Sequence, residues 1–119
     1  MFKLGAFTDE ISQDLAHAVG VCREFGVEGL ELRGVWDTPV HKLTDAQVKD
    51  IQAIVDDSGM KVCSIGSPFG KCELDNPAEI AEHYDYLRRC AEIGHALDCN
   101  VVRGFAFWGH GARIKPWDA

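Results

Sequence analysis

Gly26-Val27-Glu28-Gly29-Leu30-Glu31-Leu32-Arg33 decides the fold class, because it runs from a helix terminus straight into a strand with unusual charge. Gly26 suits the left-handed position that follows a helix. Leu30 and Leu32 fall on one face by the two-residue strand period, and Glu31 and Arg33 fall on the other. A parallel strand covered by helices on both sides reads as a continuous apolar run. Here a single face is apolar, which predicts helices on one side of the sheet only.

The flanking sequence alternates in the same sense. Lys3 to Phe7 reads as a short first strand, followed by the polar turn Thr8-Asp9-Glu10. From Ser12, a plausible N-cap, Leu15, Val19, Cys22 and Phe25 recur at helical spacing and end at Gly26. The second strand is Val27 to Arg33, and Gly34 to Pro39 is a loop by its Gly and Pro punctuation. Thr44-Asp45-Ala46-Gln47 has the form of a capping box. The helix it opens runs on Val48, Ile51, Ile54 and Val55 to Gly59. Met60 to Gly66 forms a third strand, broken by Ser67-Pro68-Phe69-Gly70. Asn76-Pro77-Ala78-Glu79 is a helix start with a capping Asn and Pro at the first helical position. This third helix is expected to bury Ile80, Tyr84, Leu87 and Ala91 and to reach about Leu97. Asn100 to Phe105 is a fourth strand, followed by the aromatic and glycine-rich Phe107-Trp108-Gly109-His110-Gly111.

Helix, glycine and strand thus recur every roughly 33 to 40 residues, which argues for βαβ crossovers and a parallel sheet. A doubly wound sheet needs two apolar faces, whereas a barrel has one helix-covered face and a lumen that is polar at its top. Glu31, Arg33 and Arg103, alternating with Leu32 and Val102, favour the barrel. Such barrels need about 250 residues, so the expectation is an α/β half barrel of about four strands and three helices, one unit over residues 1–119.

Composition bounds the function. At 46% hydrophobic and 26% charged residues the chain has a globular balance. A net charge of -7 with no basic stripe excludes a phosphate-tracking surface, so nucleic acid is not an expected partner. No apolar run approaches the roughly 20 residues of a membrane span, and the start has no signal-peptide core, so a cytoplasmic chain without a membrane partner is expected. Cys22, Cys63, Cys72, Cys90 and Cys99 are odd in number and lack C-x-x-C spacing, and they read as buried free thiols. His17, His83 and His95 fall on helices and His41 in a loop, and none reads as catalytic.

Phe7-Thr8-Asp9-Glu10-Ile11, the second strand, Ser64-Ile65-Gly66-Ser67-Pro68 and Val102-Arg103-Gly104-Phe105, in that order and spacing, resemble the N-terminal half of the xylose isomerase-like TIM barrels. That superfamily includes sugar phosphate isomerases and epimerases, ketose epimerases, hydroxypyruvate isomerases, inosose dehydratases and endonuclease IV. The resemblance implies a proton or hydride shift between adjacent carbons of a polyol or ketose. It also implies a divalent metal (Mn, Mg or Zn) held by two Glu, an Asp and a His from strands five to eight. The 119 residues cover strands one to four, so no metal ligand, no catalytic residue and no activity are expected of this chain alone. Ser67 and Phe107-Trp108 stand where the endonucleases carry zinc-binding histidines, a departure that argues against DNA repair.

The resemblance places the wall of a sugar site here. Phe7 and Trp108 stand where the epimerases set aromatics against substrate, although either could equally pack the core or a loop. Glu31, Arg33 and Arg103 point into the lumen, as an ion-pair network among themselves or as substrate contacts. Arg33 is nearest the carboxyl end of its strand and is the better candidate for a phosphate or carboxylate. Ser67, at the end of the third strand, and His110, between two glycines after the fourth, complete the candidate substrate-binding set. The alternatives are a non-catalytic half barrel that self-associates or pairs with a complementary half to cover its open edges, and a small flat βαβ domain binding an anion.

Overall fold

The computed structural model describes residues 2–108. In chain order its elements are β1 (Gly5–Phe7), α1 (Leu15–Glu24), β2 (Gly29–Leu32), β3 (Gly34–Val35), β4 (Thr38–Pro39), α2 (Asp45–Ser58), β5 (Lys61–Ile65) and α3 (Pro77–Ala96). Single 3-10 turns at Thr8–Glu10 and Val40–Lys42 follow β1 and β4. β1, β2 and β5 form a parallel sheet in sequence order. That order suits the wall of a barrel, since a doubly wound sheet reverses direction at a switch point. The sheet is an open arc of a (β/α) barrel, and among the described residues no closed barrel is formed.

Leu30, Leu32, Val62 and Ile65 enter one core with Leu15, Val19 and Cys22 of α1, Val48, Ile51 and Val55 of α2, and Cys90 and Ile93 of α3. Glu31 and Arg33 lie on the other face, so the alternation expected of β2 holds. The capping box is formed: Thr44 N–H donates to Gln47 Oε1 at 2.9 Å and Gln47 N–H to Thr44 Oγ1 at 3.2 Å. Asn76 Oδ1 accepts from Glu79 N–H at the start of α3. Arg89 then ties α3 to the entry of α2, donating to Leu43 O at 2.7 Å and Asp45 Oδ1 at 2.8 Å.

Local competition moved several boundaries. Asp14, rather than Ser12, caps α1 by accepting from His17 N–H, while Ser12 Oγ accepts from Asp14 N–H. Phe25 falls past the end of α1 at its C-cap and is 73% exposed. The buried stripe of α3 is His83, Cys90, Ile93 and Gly94, leaving Tyr84 and Ala91 exposed. At Gly94 the chain leaving the helix folds back closely: a Cβ there would lie 2.7 Å from Cys99 O.

Residues 34–39 form a β3–β4 hairpin rather than an irregular loop. Trp36 and Asp37 both adopt positive φ, 52° and 58°, as a two-residue I′ turn requires. Gln13 compensates by accepting from Trp36 N–H through its backbone and from Asp37 N–H through its side chain.

The fourth strand shrinks to one parallel bridge, Ile65 to Val102. Ile65 N–H donates to Val101 O and Arg103 N–H to Ile65 O, both at 2.9 Å, and the ladder then stops. Phe105 N–H donates instead to Phe69 O at 2.8 Å, in the loop after β5.

Of the five free thiols, Cys63 is exposed, against expectation. It is the extra residue of a bulge between the pairs Leu30–Val62 and Glu31–Ser64, and its sulfur lies over Gly5 and Gly29 on the inner face. Among the described residues no helix is long and apolar enough to cross a membrane.

Candidate functional site

Two features of the chain bring charged side chains to the carboxyl ends of the strands. The Thr8–Glu10 turn follows β1 directly and presents Asp9 and Glu10 to Arg33, one residue past β2. Arg33 Nε donates to Asp9 Oδ2 at 2.8 Å and Arg33 Nη2 to Glu10 Oε1 at 2.6 Å. These bonds, with Asp9 the larger influence, hold the Arg33 guanidinium above its ordinary pKa. Arg33 is therefore neutralised by the turn after β1. Of the two readings open for Glu31, Arg33 and Arg103, the mutual ion-pair network is not made, and Glu31 sits lower in the sheet, level with Phe7 and Ser64.

The second feature is Gly66. A Cβ at this position would come 3.0 Å from Arg33 Cβ and 3.1 Å from Phe7 Cε1, so glycine leaves both side chains uncrowded. Phe7 then meets two cations: the guanidinium carbons of Arg33 and Arg103 lie 5.0 and 5.4 Å from its ring centroid. Arg103 reaches the same place from the Val102 bridge, its Nη2 donating to Gly66 O at 3.2 Å and Ser67 O at 3.3 Å. Phe7, Arg33 and Arg103 thus form one cluster, with Ser67 contributing its backbone carbonyl.

The remaining candidates lie elsewhere. The Ser67 side chain is fully buried and accepts from Phe69 N–H. It also hydrogen-bonds with the Cys90 thiol, which burial pushes up and this bond pulls down. Glu31 stays on the inner face near Gly5 and raises the Cys63 thiol further, after burial has already done so. Trp108 is joined by its backbone to the segment after β5, donating to Cys72 O and accepting from Leu74 N–H, and the residue is 53% exposed. His110 lies outside the described residues.

Sequence reasoning missed Asp9 and Glu10 as partners of Arg33, and Phe105 as a ring that meets both Arg103 and Lys71. Lys71 Nζ and the Arg103 guanidinium each lie 4.7 Å from the Phe105 centroid. The Phe7-Thr8-Asp9-Glu10 stretch carried the signal for the first pair, since acids that follow a strand end face the same mouth as Arg33.

Two concavities flank the sheet. A small one of about 310 Å³ at the carboxyl ends is bordered by Asp9, Gln13, Arg33 and Asp37. A larger one of about 840 Å³ opens at the amino ends, between Leu4, Gly29, Met60 and Cys99. The smaller shares Arg33 with the Phe7–Arg33–Arg103 cluster, which is the candidate site because parallel barrels place chemistry at the carboxyl ends. The larger is lined mostly by loops entering the strands. Among the described residues no three His, Cys, Asp or Glu converge where a metal could be held, and Asp9 and Glu10 are committed to Arg33. These residues do not fit a metal centre.

No family model and no curated protein matches the sequence. By structure the chain is similar to D-psicose 3-epimerase crystallised in the presence of D-fructose, with a TM-score of 0.67 and 16% identity. The match covers 95% of this chain and 42% of that one, so these residues span less than half the neighbour's length. At this identity the likeness establishes architecture: the chain has the fold of part of a (β/α) barrel.

Proposed function

We infer that this chain forms a substrate-binding wall of a sugar or sugar phosphate isomerase/epimerase-type barrel. Other strands complete the barrel and move the proton or hydride between adjacent carbons of the ketose or polyol. The observation that supports this reading is the convergence of Phe7, Arg33 and Arg103 at the carboxyl ends of the parallel strands. In this reading any divalent ion is held by the completing strands, and the chain alone neither binds one tightly nor turns over substrate. Amide resonances followed during titration with D-fructose and D-fructose 6-phosphate test it. Shifts are expected at Phe7, Arg33, Gly66 and Arg103. Shifts confined to Leu4, Gly29 and Met60 overturn it, as does tight stoichiometric Mn²⁺ binding by the isolated chain.

A second reading is a half barrel that self-associates. It is favoured by the β1 edge, where Phe2 and Leu4 are exposed, and by the uncovered inner face over Gly5, Gly29 and Cys63. Light scattering after size exclusion would then report a dimer or larger, and a compact monomer at all concentrations would sink it.

A further inference from the structure

The 3-10 turn Val40–Lys42 anchors the β3–β4 hairpin to the body of the fold. Val40 is fully buried and donates its N–H to Arg33 O at 2.9 Å. Leu43, just beyond the turn, is buried too, and its carbonyl accepts from Arg89 of α3 at 2.7 Å. The hairpin that this anchor supports supplies Gly34, Asp37, Thr38 and Pro39 to the small concavity beside Arg33. Whatever loosens the turn therefore loosens one wall of that concavity.

The anchor contains a titratable ring. His41, the middle residue of the turn, packs on Tyr86 of α3 with ring centroids 4.3 Å apart, and His83 packs on the same Tyr86 at 5.0 Å. His83 is buried, and Nδ1 of each imidazole is buried without a hydrogen-bond partner among the described residues. The charges around His41 do not compensate a proton there. Lys42 from its own turn and His83 from α3 oppose it, while Glu82 of α3 favours it but already accepts from the Tyr86 hydroxyl. Arg89 of α3 and Asp45 of α2, on either side of Leu43, are paired with each other at 2.8 Å. An imidazolium carries N–H at both nitrogens, so a charged His41 presents an N–H from its buried Nδ1 to no acceptor. The face of Tyr86 attracts a cation, but that gain is smaller than the cost of an unpaired buried charge.

We propose that His41 is an acid-triggered release for the hairpin: protonation of its imidazole detaches the Val40–Lys42 turn from Tyr86 and His83 and opens the wall of the concavity beside Arg33. At neutral pH the imidazole is uncharged and the turn is docked. Once released, the ring regains water and titrates near the ordinary histidine value, whereas burial, then Lys42, then His83 hold the docked ring below it. Docking is therefore complete above about pH 6.5 and is lost progressively as pH falls below it. The device does not rest on the sugar reading, because it requires only that the hairpin border the carboxyl ends of the strands.

Amide hydrogen exchange on the whole chain, expressed as protection relative to the intrinsic rate at each pH, tests the device between about pH 7.5 and about pH 5. Protection of Val40 N–H is expected to fall at least about fivefold across that range. The N–H groups of Ile65 and Gly66, bonded to Val101 O and Leu32 O in the sheet, are expected to change by less than about twofold. His41→Phe is expected to keep the ring contact and abolish the fall. His83→Phe is expected to raise the titration midpoint of the His41 ring, followed by its Cε1–H resonance, and to shrink the fall. Val40 protection that is independent of pH in the unsubstituted chain overturns the proposal whether or not either variant folds, as does a fall that persists in His41→Phe. A parallel fall at Ile65 and Gly66 overturns it as well, because it reports loosening of the whole fold.

Discussion

Gly66 and Arg33 meet across β5 and β2 at a separation that crowds any side chain: a methyl on Gly66 would press to 3.0 Å from Arg33 Cβ and 3.2 Å from its Cα. The neighbour is backbone as well as side chain, so it cannot swing aside. Gly66→Ala is expected to destabilise the protein by about 1–3 kcal/mol through overpacking, read as a lower urea midpoint. Gly20→Ala is the contrasting case, an exposed helix position with nothing within 4 Å. It is expected to stabilise by roughly 0.5–1 kcal/mol. An unchanged midpoint for Gly66→Ala would show that the contact relaxes freely.

The two carboxylates on Arg33 are not equivalent. Asp9 is 10% exposed and Glu10 66%, while Arg33 is 39% exposed and partly screened. Asp9→Asn is therefore expected to lower stability by about 1–2 kcal/mol, and Glu10→Gln by no more than about 0.5 kcal/mol. Adding salt should erase the smaller difference and leave the larger. Equal effects from the two substitutions would contradict the burial difference.

The His41 ring lies 4.3 Å from that of Tyr86, which lies 5.0 Å from that of His83. Burial, then the positive charge of Lys42, then His83 lower the His41 pKa, with Glu82 opposing. The fold thus favours neutral His41, and the unfolded chain binds the proton more tightly. The stabilisation is complete above the unfolded value of about 6.5 and is lost as pH falls below it. Urea midpoints should decline on acidification through that range, and His41→Phe should flatten the decline. An identical slope in the variant would assign the pH dependence to other groups.

Cys63 is the exposed thiol of the five, and burial and then the Glu31 carboxylate both hold it above its ordinary pKa. A thiol reagent should label one cysteine in the native protein and five after denaturation. Labelling should accelerate as pH rises past the usual thiol range. Glu31→Gln should speed native labelling at a given pH. Labelling of several thiols at one rate in the native state would mean that the core opens readily.

What could be read from sequence was what short-range chemistry decides. The capping box at Thr44, the Asn76-Pro77 start and the left-handed Gly26 and Gly59 each rest on neighbours a few residues away, and each is present. The alternation of Leu30 and Leu32 with Glu31 and Arg33 was legible for the same reason. The partners of Arg33 were not, because Asp9 and Glu10 are brought to it by strand register across 24 and 23 residues. The truncation of the fourth strand escaped notice because Phe69 O, a loop carbonyl, takes the hydrogen bond from Phe105 that the ladder would have used. The stripe of α3 was misjudged because its buried face includes His83 and Gly94, one polar and one without a side chain, while the bulky Tyr84 stays outside.

The bulge at Cys63 acts as a phase shift in the third strand of the sheet. Strict alternation from Val62, which faces the helices, would turn Ile65 toward the lumen and Gly66 away from it. The inserted residue reverses both, returning Ile65 to the core and bringing Gly66 beneath Arg33. Regular pairing of Cys63 in place of the bulge would therefore invert the inside and outside of everything downstream in the strand, closing with a bulky isoleucine the gap through which Phe7 and Arg33 meet, whereas deleting Cys63 would leave Ser64, Ile65 and Gly66 on the faces they now hold.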